Sequence, residues 1–136
     1  MAHAGRSKSL VIILARDLAS RLSTPAFLVD DEGTLVYFNE AAEDVLGRPF
    51  AEVGEVTVRR WAASFVSLDE KDEPLGWEVL PIGVALIKRR PSHMRLRLRT
   101  EDGTVREVSA TATPLFSQED HLEGALALFW EEPETP

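Results

Sequence analysis

The segment Pro25-Ala26-Phe27-Leu28-Val29-Asp30-Asp31-Glu32-Gly33-Thr34-Leu35-Val36-Tyr37-Phe38-Asn39-Glu40-Ala41-Ala42-Glu43-Asp44-Val45-Leu46-Gly47 decides the fold. Two short runs, Ala26 to Val29 and Leu35 to Phe38, are rich in residues that suit a pleated surface. The acidic link between them contains Gly33, which is free to take positive φ, so the pair reads as a β-hairpin. The period then changes. Asn39 has a side-chain oxygen able to cap a helix, Glu40 to Leu46 are acceptable helix formers, and acids stand near the positive helix start. Gly47 offers a left-handed stop, with Pro49 just beyond.

Working outward from this stretch, residues 8–23 carry Leu10, Val11, Ile13, Leu14, Leu18 and Leu22 on one broad helical stripe, with Arg16, Asp17 and Arg21 off it. Such a helix either packs on its own domain or forms a dimer contact, and both readings can hold together. Its dense Leu10 to Leu14 cluster favours the dimer. Thr24-Pro25 ends it. Residues 1–7 are expected to be a mobile tail, and residues 133–136 a second, acidic one.

Downstream, residues 50–80 fit neither period and are assigned short helical turns and loops, with Asp69 to Pro74 a charged loop. A helix is expected from Pro81 to Arg90, apolar on most sides and closed by basic residues and Pro91. Three strands follow. Met94, Leu96 and Leu98 alternate with Arg95, Arg97 and Arg99, and Glu101-Asp102-Gly103 makes a turn. Val108, Ala110 and Ala112 share one face of a strand over Thr104 to Thr113, ended by Pro114. Gly124 to Trp130 reads as a central strand, and Glu131 opens the acidic tail.

At 136 residues and 44% hydrophobic, the chain suits one domain with a real core. A formal charge of −8 argues against nucleic acid as a partner. Cysteine is absent, which removes disulfides, thiolate metal sites and cysteine nucleophiles. The apolar run Leu10 to Ala15 is too short to span a bilayer, so no membrane association and a cytoplasmic protein are expected. The carboxylates fall in turns and tails, no serine–histidine arrangement or glycine-rich phosphate loop stands out, and a non-enzymatic role is expected.

The element order predicts an α+β fold, a five-stranded antiparallel sheet with helices on one face and an amphipathic flanking helix. That order resembles the PAS family. The resemblance rests on Phe27-Leu28-Val29-Asp30, the glycine turn, Leu35-Val36-Tyr37-Phe38-Asn39, the short helix ending Val45-Leu46-Gly47, and the Glu101-Asp102-Gly103 turn. It continues through Arg106-Glu107-Val108-Ser109-Ala110, Pro114-Leu115 and Gly124-Ala125-Leu126, and spans residues 8–132. It implies a sensory or protein-association module with a pocket between sheet and helices, a dimer through the flanking helix, and a signalling partner reached in trans.

Within that resemblance, the absent cysteine rules out the photochemistry of light-oxygen-voltage sensors and of the photoactive yellow protein. Haem-binding members usually place a histidine on the long helix, which here has none; His93, just past Pro91, is the nearest, and haem is disfavoured. The expected pocket residues are Trp61, Phe65, Ile82, Leu86, His93, Leu96, Leu98, Ala110, Ala112 and Ala127, with His93, Ser109 and Thr111 as polar groups able to orient a ligand. Small residues opposite large ones are either tight packing or the wall of a cavity; if a cavity, so apolar a lining suits a fatty acid or another small hydrophobic molecule, and a small lipid carrier is the alternative reading. The basic stripe Arg95, Arg97, Arg99, near Lys88 to Arg90, is either a solvated face or a docking patch for an acidic protein surface.

Overall fold

The computed structural model describes residues 9–47, 49–62, 66–99 and 103–132. Both expected tails, Lys8, and Glu101 and Asp102 of the second turn lie outside the described residues. Among the described residues the strands are seven: β1 (Ala26–Asp30), β2 (Thr34–Phe38), β3 (Val56–Thr57), β4 (Val66–Leu68), β5 (Ser92–Arg99), β6 (Val105–Phe116) and β7 (Leu122–Glu131). They form one antiparallel sheet in the order β3-β2-β1-β7-β6-β5-β4. Five strands are those read from the sequence. The additional two are short edge strands from residues 50–80, too brief to show a period of two.

Among the described residues five α-helices accompany the sheet: α1 (Leu10–Ser20), α2 (Glu40–Leu46), α3 (Phe50–Val53), α4 (Val58–Ala62) and α5 (Pro81–Lys88). Pro81 sits in the first turn of α5, where its missing N–H is not needed, and Arg89 in the left-handed region ends the helix at Lys88, two residues short of the expected Arg90. Pro114 does not end β6 as expected. It is buried within the strand opposite Ala125, and the β5 partner stops at Ala112, so its lack of a donor leaves no ladder bond unmade. Glu131 likewise belongs to β7 and not to a tail.

Leu35 and Phe38 are an odd number of residues apart, yet both face the core. A register shift in the β1–β2 ladder sets Phe27 opposite Phe38 and Val29 opposite Leu35, the two-against-one count of a β-bulge. Val29, Leu35, Phe38, Leu96, Val108 and Phe129 then bury against α2, α4 and α5 on one side of the sheet.

The flanking helix covers the other side. Ser9 caps it by accepting from the Ile12 amide at 3.4 Å, and its small residues Ala15 and Ala19 are buried where β1 buries Ala26 and Leu28. Contact is close enough that a side chain at Gly124 of β7 would meet the Val29 carbonyl and the Ile12 side chain. The Arg16 guanidinium lies 4.7 Å from the centre of the Tyr37 ring and adds a second tie to β2.

Asn39 joins the layers. It is 1% exposed. Its Oδ1 accepts from the Ala26 and Ala42 amides, both at 3.0 Å, so it caps α2 and holds the start of β1. Its Nδ2 donates to the carbonyls of Ala19 at 3.0 Å, Thr24 at 2.9 Å and Leu22 at 3.4 Å, at the end of α1.

The first hairpin turn is closed by Asp30, whose Oδ1 accepts from the Glu32 and Thr34 amides, both at 2.9 Å. Burial pushes the Asp30 carboxyl above its usual range, against those two amides and with help from the charges of Asp31 and Glu32. A raised native value means stability from this group is full below the unfolded value of about 3.9 and is lost as pH rises through the native value. Asp30→Asn keeps the acceptor oxygen and removes the charge. Urea titrations at several pH values should show the variant ahead of the parent at pH 7, with the difference shrinking toward pH 4; a difference that grows on acidification contradicts this assignment.

Candidate functional site

Alternation along the central strands sets one row of side chains under α4 and α5. A cavity of about 70 Å³ lies there. Its sheet side is Phe27, Leu96, Leu98, Val108, Ala110, Ala127 and Phe129; the opposite wall is Leu46, Val58, Trp61, Leu80, Pro81 and Ile82, with Ser67 of β4 as a polar group at the margin. The Trp61 ring meets Phe27 edge-on at 4.6 Å and stacks beside Phe38 at 5.9 Å. These contacts fix the indole as one wall.

Six of the expected pocket residues line this cavity: Trp61, Ile82, Leu96, Leu98, Ala110 and Ala127. Ala112 is buried in the same core beyond the wall, and Leu86 packs half-buried against that core. Phe65 lies outside the described residues. His93 is on the other side of the sheet. It pairs with Thr111 of β6 while Met94 pairs with Ala110, so the pleat sends His93, Ser109 and Thr111 away from the cavity. None of the three can orient a ligand there, and His93 cannot ligate a haem within it.

Sequence reading missed Phe27, Leu46, Val58, Ser67, Leu80, Pro81, Val108 and Phe129 as wall residues. Phe129 was within reach, since it shares the period of two with Ala125 and Ala127. Val58 and Ser67 were not, because their elements carry no period. The walls can exclude water and accept apolar surface; they offer no charge to a carboxylate, which would be costly to bury unpaired.

On the outward face, Ser109 is buried beneath the residue that follows β7. Its hydroxyl donates to Glu132 Oε2 at 2.6 Å, and Arg95 approaches Glu132 at 4.0 Å. The Ser109 hydrogen bond, then the Arg95 charge, hold the Glu132 carboxyl below the usual carboxylate range despite partial desolvation. Beside them the His93 and Trp130 rings lie 6.1 Å apart. Among the described residues, no group of three or more acidic or histidine side chains converges as a metal site, and no helix is long and apolar enough to cross a membrane.

With the geometry in place, comparison with solved structures defines the class. The PAS domain of BvgS from Bordetella pertussis is 19% identical, with a TM-score of 0.63 over 90% of this chain and 85% of that one. A LOV protein of Rhodobacter sphaeroides is 15% identical, with a TM-score of 0.68 over 92% and 69%. The fungal blue-light photoreceptor Vivid, in its light-state dimer, is 14% identical, with a TM-score of 0.63 over 93% and 96%. The chain has a PAS fold. No protein-family model and no curated protein sequence matches it.

Proposed function

We propose that this chain is a non-enzymatic sensory module that dimerises through α1 and passes its signal to another polypeptide. The observation that carries this reading is the outward side of α1. Leu10, Ile13, Leu14 and Leu18 are 68%, 47%, 59% and 52% exposed, while Val11 and Leu22 are half-buried. The helix therefore has two apolar faces, one seated on its own sheet and one turned outward. Four large aliphatic side chains at helical spacing on one short helix are a patch of the sort that marks a protein contact. The exposed Asp17–Arg21 pair at 3.2 Å, three and four residues on from Ile13, Leu14 and Leu18, lies on the same face and gives the patch a polar C-terminal end. A photoreceptor among the structural neighbours is a dimer, which agrees with the reading.

The cavity supplies the sensory side of the proposal, as a receptor for an apolar molecule smaller than benzene. Its volume argues against the carrier alternative: about 70 Å³ is under half of the ~150 Å³ that holds benzene, and an acyl chain is larger still.

Leu14→Glu with Leu18→Glu tests the dimer. Burying a leucine is worth about 1.5–3 kcal/mol, and the contact loses two on each side, so the dimer dissociation constant should rise at least about 10⁴-fold. Sedimentation equilibrium should find a dimer for the parent and, for the variant, a monomer that still unfolds cooperatively, with a melting temperature that no longer rises with protein concentration. A parent that is monomeric at tens of micromolar, or a variant that stays dimeric, overturns the α1 assignment. Native mass spectrometry of the same samples reports any retained apolar ligand.

A further inference from the structure

We infer that the open edge of β5 is a docking site for an extended, acidic segment of a partner protein, added to the sheet as a further strand. Strand β5 has eight residues, but its edge neighbour β4 has three and pairs only with Arg97, Leu98 and Arg99. From Ser92 to Leu96 the backbone groups directed away from β6 have no protein partner among the described residues. Such an edge is a template for an incoming strand.

The side chains around it select the occupant. Lys88, Arg89 and Arg90 precede the edge, His93 and Arg95 stand on its outward face, and all five are exposed. This cationic group belongs to a chain of net charge −8. The acids facing it are Glu132, held by Ser109 and 4.0 Å from Arg95; Asp69, Glu70 and Glu107, which line a surface cleft with Arg95 and Arg97; and Asp31 and Asp120, which line a second cleft with Arg89; Arg97 is already paired with Asp72, so Lys88, Arg90, His93 and Arg95 are the cations left to select the occupant. Two copies of this chain meeting edge to edge would oppose cations with cations, which disfavours a second copy as occupant. An incoming strand with acids at alternate positions would set them beside His93 and Arg95, and its other side chains beside half-buried Met94. The inference rests on the signalling-in-trans reading for its partner, whereas the binding itself can be measured without it.

A short fluorescent peptide alternating glutamate with valine is the probe, with the full chain as receptor and fluorescence anisotropy as readout. It should bind with an affinity that falls as salt rises, and hydrogen exchange should show new protection at the His93 and Arg95 amides, which are directed away from β6. N-methylation at alternate peptide positions, which removes the donors facing the edge, should weaken binding at least about tenfold, as should Arg90→Glu with Arg95→Glu in a chain whose melting temperature is unchanged. Absence of binding, equal binding by the N-methylated peptide or by one with lysine for glutamate, or protection confined to α1 or the cavity walls overturns the inference. Sedimentation of the same samples reports the α1 dimer separately, so failure of one reading is distinguishable from failure of the other.

Discussion

Asn39→Ala should cost the protein about 3–5 kcal/mol, measured by urea unfolding, because the variant strands main-chain groups in three segments at once. The Ala26 amide and the carbonyls of Ala19 and Thr24 lose a buried partner, and α2 loses its cap. A buried polar group left unsatisfied costs about 1–3 kcal/mol, and a lost cap about 1 kcal/mol. Asn39→Ser separates the contributions: the hydroxyl can cap α2 but cannot reach the end of α1, so it should restore about 1 kcal/mol and no more. Trypsin should cut faster at Arg21 in both variants, because the end of α1 is no longer held. A loss under about 1 kcal/mol for the alanine variant would mean that water replaces the network, and the link between α1 and the core would fail with it.

Trp61→Ala should cost a comparable amount, about 3–5 kcal/mol, and should create a binding site at the same time. The indole is 5% exposed, and its removal merges its own volume with the cavity of about 70 Å³ that it borders. Lined by Phe27, Phe129 and aliphatic side chains, the enlarged space stays apolar, and such cavities take benzene. A ligand at ten times its dissociation constant restores about 1.4 kcal/mol, so benzene should raise the melting temperature of the variant while leaving the parent much less affected. A variant destabilised by less than about 1 kcal/mol, or one indifferent to benzene, would show that α4 collapses inward and that the cavity has no fixed wall there.

Much of the fold was legible because local chemistry and global pairing agree. The hairpin around Asp30 to Gly33, the Asn39 cap, the Gly47 stop and Pro81 at the head of α5 are each decided by nearest neighbours, and the structure shows all of them. Pleat alternation also sorted Leu96, Leu98, Ala110 and Ala127 to the cavity. That rule would equally have removed His93, which shares its face with Arg95 and Arg97. What sequence could not show are pairings between strangers. The three donor contacts of Asn39 reach residues up to twenty positions earlier. The edge strands β3 and β4 are too short for a pattern, and the fold of residues 50–80 follows from what they pack against. Reading Pro114 as a stop failed because the neighbour on its donorless side ends before it, a fact that lives in the register and not in the residue.

The seam between β1 and β7 bears on how the molecule is made. Ala26 to Asp30 find their second partner in Gly124 to Leu128, so a nascent chain leaving the ribosome carries its first hairpin with one side open until β7 has been synthesised. Non-local pairing of this sort slows folding and leaves an unpaired strand exposed to aggregation meanwhile. Early termination before Gly124 would thus leave the Ala26 to Asp30 edge as an open template for other chains, and such a fragment should aggregate.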